Sequence, residues 1–327
     1  MEAEGDTLML IDGIKVRGIT SNFRRVRKDY VFVAIREENR DGNNFIDLAI
    51  QKGAIIIYTE RDIHKKNCII KKVGNTKKIL AELCNEFYDY PSDKFFVVGV
   101  TGTSGKIRTA NLIHHIVNNY GVKSGMIGNL NIKIGEKKYP IKPATLATED
   151  IYFYLNKMAE EDIKIVVIEV SSYRLKHEKV HGIKFDVAIY TNIKEDYPNF
   201  HETIDSYVKS KKKLFDNLRT GKIALVNYDD KYALDMLKDS DSILVITYGL
   251  GSKSTVNASS IDIGFITSFN YCLQRGITTL SGIGIEPFEH PIVSNLLRNH
   301  DIYNALSAIT ACLLLDVPIG GIVSAIR

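Results

Sequence analysis

Residues 95–109 read FFVVGVTGTSGKIRT: an apolar run without alternation, then a turn of Gly, Thr and Ser closed by a lysine. A short apolar run that meets a glycine-rich turn reads as a strand buried on both faces, and Arg108 to Tyr120 carries the spacing of a helix. Strand, turn and helix in that order make a phosphate cradle, because exposed backbone N–H groups and the helix N-terminus together hold phosphate oxygens. Gly102, Thr103, Ser104 and Gly105 form the turn, and Lys106 is placed to reach terminal phosphates. The strict pattern GxxxxGK[ST] is not met. Val100 stands at its first Gly, and Ile107 at the Ser or Thr whose hydroxyl holds magnesium. On these residues by themselves, a tight turn with a surface lysine stays open as the alternative.

Downstream, a helix over Ile151 to Glu161 is followed by apolar strands over 163–170, 185–190, 223–226 and 243–248. Apolar strands separated by helices argue for a mostly parallel sheet flanked by helices on both faces, with ligands at the carboxyl ends of the strands. Residues 261–285 are rich in Gly and Thr and alternate like antiparallel hairpins; Asp301 to Leu315 is an apolar helix, and Pro318 begins another. Upstream, the strands IKVRGIT, VFVAI and AIIIYT surround a helical stretch from Asn44 to Lys52 that ends at Gly53. A helix over Thr76 to Tyr90 stops at Pro91, and Pro91-Ser92-Asp93-Lys94 is the best linker in the first hundred residues. The fold class is therefore α/β, with a small N-terminal domain over 1–93 and a P-loop-type central domain over 94–327.

The bulk numbers fit that division. A chain of 327 residues exceeds what one core usually supports, and 45% hydrophobic with 25% charged residues is the composition of a folded globular protein. A net charge of +4 from 43 basic and 39 acidic side chains lacks the concentrated positive field of a nucleic-acid binder, so small anions remain as ligands and no nucleic acid is expected. Cys68, Cys84, Cys272 and Cys312 have no zinc-site spacing and read as reduced thiols. The acidic start MEAEGDTLML is not that of a signal peptide, and no stretch is long and apolar enough to span a membrane. A cytoplasmic protein is expected.

The wording around the turn is more specific than the turn. GVTGTSGK resembles the GxTGT[NS]GKT loop of the Mur ligases, which also lack the first strict Gly but carry Thr where this chain has Ile107. IKIVVIEVSSYRL, 163–175, resembles the family's EVSS segment, whose Glu binds magnesium; the resemblance makes Glu169 a metal ligand and puts Ser172 at the substrate. GIKFDVAIYTNIKEDYPNFHETIDSYVKSKKKLF, 182–215, is similar to FDxxxxTNLxxDHLDxHxxxxxYxxxKxxLF. There Lys211, four residues after Tyr207, matches a lysine that is carbamylated into an anionic metal ligand. Tyr197 replaces a magnesium-binding His, and a phenol is a poor ligand for Mg²⁺. His201 keeps the second His of the pattern.

GITSNFRRVRKDYVFVAI, 18–35, resembles the first domain of the tripeptide-forming members, where ITSDSRxVxPGDLFVAL binds the uridine diphosphate end of the substrate. Ser21 and Arg24 are retained, while Asn22-Phe23 replaces Asp-Ser. PATLATEDIYFYL, 143–155, occupies the place of a Thr-Thr-Pro segment at the substrate's phosphates, with Thr145 and Thr148 as the matches. RNHDIYNALSAITAC, 298–312, resembles the GxHNxxNxxAA start that recognises adenine, through His300 and Asn304, with Asp301 in place of an Asn.

The resemblance implies an ATP-dependent acid–amino-acid ligase of peptidoglycan precursor synthesis. ATP phosphorylates a carboxylate of a UDP-muramoyl peptide, and an amino acid's amine then attacks the acyl phosphate. ATP and Mg²⁺ are the implied cofactors, with a weakened metal site because of Ile107 and Tyr197. The family's third, Rossmann-like domain would begin near Arg327, so it is expected to be absent from this chain, or supplied by a partner. Two other readings stay open: an inactive homologue that acts as a binding or regulatory module, and a Mur-like ligase for a substrate outside peptidoglycan.

Overall fold

The computed structural model describes residues 8–37, 40–141, 146–195, 201–239, 242–264, 266–295 and 301–327. Near the N-terminus, Gly18–Thr20 (β1), Tyr30–Val33 (β2), Ala54–Thr59 (β3) and Ile69–Lys72 (β4) pair in parallel in the order β1-β2-β3-β4. Val31, Phe32 and Val33 are all fully buried, so both faces of β2 are covered and its sequence does not alternate. Helix α1, Ile46–Gln51, packs against β3, and α2, Thr76–Phe87, against β1 and β3. Asn75 starts α2 by accepting from the N–H groups of Lys77 and Lys78, a cap commonly worth about 1 kcal/mol. The helix stops short of Tyr90 because Asp89 and Tyr90 take positive φ values of 53° and 49°.

Contacts divide the chain into a first unit, Met1–Pro91 with Leu146–Ala159 and Lys176–Ile183, and a second unit, Ser92–Thr145, Glu160–Leu175 and Lys184–Arg327. The first cut lies two residues before the boundary read from the sequence, but the division is not linear. Helix α4, Thr148–Glu160, returns to the first unit for a polar reason. Its buried Glu149 accepts from Thr20 Oγ1 at 3.0 Å and from the Ser21 N–H at 2.9 Å, and no local pattern announces partners so distant in sequence. The stretch 176–183 follows, with Lys179 Nζ donating to the Leu146 carbonyl at 3.1 Å.

In the second unit Phe96–Thr101 (β5) is central to an eleven-stranded sheet. The other strands are Ser124–Ile127 (β6), Asn131–Ile134 (β7), Lys137–Pro140 (β8), Ile165–Glu169 (β9), Val187–Tyr190 (β10), Ile223–Asn227 (β11), Leu244–Gly249 (β12), Val256–Ile263 (β13), Thr267–Leu273 (β14) and Phe288–Ser294 (β15). Their order is β8-β7-β6-β9-β5-β10-β11-β12-β13-β14-β15. Pairing is parallel from β6 through β13 and antiparallel at both ends, so the fold is α/β with a large, mostly parallel central sheet. The hairpin β7–β8 has no counterpart in the sequence reading, whereas the strands over 256–294 form the antiparallel end expected of the Gly/Thr-rich stretch.

Helices α3, Lys106–Asn119, and α8, Ile302–Leu314, lie against Val98 and Val100 in one continuous core. Eleven residues of α8 are buried, from Ile302 through Leu314, so the helix is enclosed almost all round and its apolar sequence follows. On the other side of β5, Gly99 admits Phe185 and Leu214: a Cβ there would lie 2.7 and 3.2 Å from their side chains. Leu214 belongs to α6, Ile204–Asp216, whose N-terminus is capped by Thr203, and the short α7, Ala233–Leu237, follows it.

Candidate functional site

The turn after β5 depends on two glycines. Gly102 has φ 146° and Gly105 φ 88°, conformations L side chains rarely adopt. A Cβ on Gly102 would lie 1.9 Å from Thr191 Oγ1, and one on Gly105 would lie 2.4 Å from Asn304 Oδ1. Thr191 and Asn192, at the end of β10, clamp the turn. Thr191 Oγ1 donates to the Ser104 carbonyl at 2.6 Å, Asn192 Oδ1 accepts from the Ser104 N–H at 3.0 Å, and the Asn192 carbonyl accepts from the Thr103 N–H at 2.7 Å. These two residues stand in the quoted TNIKED stretch, but the sequence reading gave them no role. Gly105 then begins α3 with no side chain capping it, which leaves the first helical turn open to an anion.

Two lysines converge on this turn. Lys106 Nζ donates to the carbonyls of Gly102 at 2.7 Å and Thr103 at 2.9 Å. Lys211 Nζ, from α6, donates to the same Gly102 carbonyl at 2.7 Å and lies 4.3 Å from the centroid of the Tyr207 ring. The Tyr207 hydroxyl is 3.0 Å from Thr103 Oγ1, so the spacing of Tyr207 and Lys211 on α6 brings both to the loop. Burial lowers the pKa of Lys106, opposed by Glu169; burial, with Lys106 second, takes Lys211 well below the usual lysine range.

Glu169, at the end of β9, is buried. Its Oε2 accepts from the Asn129 N–H at 3.3 Å. Burial raises its pKa, while Arg174, the Asn129 N–H and Lys106 oppose the rise. Arg174 was not singled out in the sequence, where a basic residue just after EVSS reads as solvated. It lies in α5, Ser172–Lys176, and is 1% exposed. Its guanidinium donates to the carbonyls of Glu169 at 2.5 Å, Gly128 at 2.8 Å and Ile127 at 3.4 Å. Ser172 is buried at the start of α5, and its carbonyl accepts from Ser210 Oγ, one residue before Lys211.

Asn304 sits behind the loop: its Oδ1 accepts from Thr109 Oγ1 at 3.3 Å and its Nδ2 donates to Asp301 Oδ1 at 3.1 Å. Asp301 Oδ2 accepts from Arg108 Nε at 3.0 Å and Nη2 at 2.8 Å, tying the starts of α3 and α8. Thr109 points into the core, so its hydroxyl does not stand in for the one missing at Ile107, which is 48% exposed. Thr145, Tyr197 and His300 lie outside the described residues.

Among the described residues, no group of three or more His, Cys, Asp and Glu side chains could hold a metal. Glu169 is a buried carboxylate on which Arg174 and Lys106 act, and Lys211 lies beside Lys106 at the Gly102 carbonyl. Among the described residues the donor set offers Mg²⁺, which favours carboxylates and water, the Glu169 carboxylate and the Thr103 and Tyr207 hydroxyls. The two lysines fit phosphate oxygens.

In the first unit, Ser21 Oγ donates to Glu149 Oε1 at 3.1 Å, and Thr148 is the buried first residue of α4. Arg24 lies on a short turn over the Phe23 ring, 5.4 Å from its centroid, and Phe23 stacks on Phe45. Beside these residues is a cavity of about 300 Å³ whose lining includes Arg17, Arg24, Arg25, Arg27, Glu149 and Phe153. Arg25 Nη1 pairs with Asp150 Oδ1 there at 2.7 Å.

The profile of the Mur ligase middle domain matches residues 100–312. A UDP-N-acetylmuramoyl-L-alanyl-D-glutamate–2,6-diaminopimelate ligase of Clostridium acetobutylicum is 32% identical over 302 residues, 92% of this chain and 59% of that protein. The Aquifex aeolicus protein of the same name is 32% identical over 299 residues, 91% of this chain and 59% of its own length. A solved structure of a ligase of that name superposes with a TM-score of 0.81 at 20% identity, over 97% of this chain and 64% of that one. The MurF ligase of Thermotoga maritima in complex with ADP gives 0.60 at 20% identity, over 94% and 66%. The chain thus spans about three fifths of the length of the curated relatives it matches.

Proposed function

The chain belongs to the Mur ligase family, and on that premise we propose that it carries the nucleotide- and substrate-binding parts of an ATP-dependent ligase of peptidoglycan precursor synthesis. One observation carries the reading: two lysines and an uncapped helix start converge on the turn Gly102–Gly105 at the carboxyl end of a central parallel strand. Lys106 and the loop N–H groups hold the phosphates of ATP, and the family pattern assigns Asn304 and His300 to the adenine. By their match to the family pattern, Ser21, Arg24, Thr145, Thr148 and Ser172 are the residues assigned to a UDP-muramoyl peptide. Phosphoryl transfer to that peptide's carboxylate demands mostly positioning and charge neutralisation, which the loop and its lysines supply. The part of the reaction that presents the amino acid falls to the portion of the relatives' length that this chain does not match. A cytoplasmic location follows from the use of ATP and a nucleotide-linked precursor.

Calorimetry with ATP, with and without magnesium, tests the nucleotide reading. Affinity in the millimolar range or tighter is expected, weakened at least tenfold by Lys106→Met; no heat at millimolar ATP under either condition overturns it. Ile107, which puts an exposed apolar side chain where a metal-binding hydroxyl belongs, favours a second reading of a weakened metal site in a non-catalytic binding homologue. ADP formation with a muramoyl dipeptide and an amino acid would exclude that second reading.

A further inference from the structure

A cavity of about 480 Å³ lies at the amino ends of the central strands of the second unit, the end opposite the phosphate loop. Its wall is made by residues that lead into β5, β9, β10 and β11. Five cations line it, Lys94, Lys164, Lys184, Arg219 and Lys222, against two carboxylates, Asp93 and Asp186. Both carboxylates are engaged within the chain. Lys184 Nζ donates to Asp93, and the buried Asp186 accepts from Lys222 Nζ at 2.7 Å and from the Val97 N–H at 2.8 Å. Asp162 pairs with Lys164 from outside the lining, so the cations still exceed the carboxylates by two. Arg219 is exposed and makes no ion pair among the described residues. Phe96 begins β5, a strand otherwise buried, yet at this wall it is 36% exposed.

We propose that this cavity binds a small polyanion, of the size and charge of a pyrophosphate, at a place separate from both the nucleotide and the muramoyl peptide. A cleft lined by an excess of one sign focuses its field and concentrates ions of the other. The volume lies in the range of roughly 300–1,000 Å³ usual for small-molecule sites. Arg219 offers a planar fork to two anionic oxygens. Lys164, held by an exposed pair that water screens, brings a second charge to the same wall. Lys184 and Lys222 stay on their carboxylates and keep Asp93 and Asp186 from repelling the ligand. Phe96 to Thr101 spans six residues, so at roughly 3.3 Å per residue the cavity lies about 17 Å from the turn Gly102–Gly105. One small ligand cannot occupy both places, and the inference does not depend on the nucleotide reading of the loop.

The test is hydrogen exchange of the purified chain with inorganic pyrophosphate at about 0.15 M salt, where charges more than roughly 8 Å apart are largely screened. Protection of 92–96 and 219–222 is expected, and it should persist in Lys106→Met, which disables the phosphate loop. In that background, calorimetry should show pyrophosphate affinity weakened at least fivefold by Arg219→Gln with Lys164→Gln. Both side chains are exposed, and the variant leaves Lys222 on the buried Asp186. Arg219→Gln alone should give a smaller loss in the same direction, which keeps the test decisive where the double variant fails to fold. Protection confined to 102–106 overturns the inference and leaves the nucleotide reading standing. Pyrophosphate affinity unchanged in the folded double variant also overturns it, as does a lack of protection at 92–96 and 219–222 under saturating pyrophosphate.

Discussion

His114, on α3, has its ring nitrogen Nδ1 2.8 Å from Ser124 Oγ, and burial, with Lys133 and His115 nearby, pushes its pKa down to about 4. The unfolded chain binds that proton near pH 6.5. The stability it contributes is therefore complete above pH 6.5 and is lost as pH falls toward 4, by at most about 3 kcal/mol. Chemical denaturation across that window should show the decline, and His114→Gln should flatten it. An unaltered slope would place the acid sensitivity elsewhere. Residues in a recognisable spacing, such as Lys106 after GTSG or Lys211 after Tyr207, were legible in the sequence because the loop and α6 fix their positions. Arg174 was not, since its burial is set by the carbonyls of Ile127 and Gly128, far from it in sequence.

Among the elements, the join between α3 and α8 constrains the loop most tightly. Gly105 begins α3 in a left-handed conformation with Asn304 of α8 directly behind it. Gly105→Ala combines roughly 1–2 kcal/mol of backbone strain with a displaced Asn304. Weaker nucleotide binding by tenfold or more is expected, with melting lowered by a few degrees; calorimetry and thermal denaturation check both. The start of α3 shows how element boundaries escape local reading. Two residues earlier than its apolar spacing suggested, it opens at Lys106, because a glycine rather than a polar cap sets the entry. The hairpin β7–β8 escaped for another reason: its strands are four residues each, and only NIKI of β7 alternates, too short a run to stand out.

At the scale of the whole molecule, each unit has its own sheet; the nucleotide phosphates are assigned to the second and the uridine diphosphate end of the substrate to the first. Hydrogen exchange should separate them: ATP should protect 102–106 and 191–194 in the second unit, and a UDP-muramoyl dipeptide 20–25 in the first. At a hundredfold excess over Kd either ligand stabilises what it binds by about 2.7 kcal/mol. Protection of both stretches by one ligand alone would contradict the assignment. The α/β class and the first cut of the chain could be read from apolar runs and a Pro91 linker, since both are local signals. The return of 146–159 and 176–183 could not, because it rests on a buried carboxylate finding Thr20 and Ser21.

That return also orders events during synthesis. The first unit is encoded first, yet its contacts are complete only when the chain has been made through Ile183, about ninety residues past Pro91. At the usual pace of roughly 5–20 residues per second, Glu149 reaches Thr20 and Ser21 several seconds after they leave the ribosome. The phosphate loop is translated within that interval. The leading unit of this protein is thus finished by its middle, and a nascent chain arrested before Leu146 holds neither unit whole.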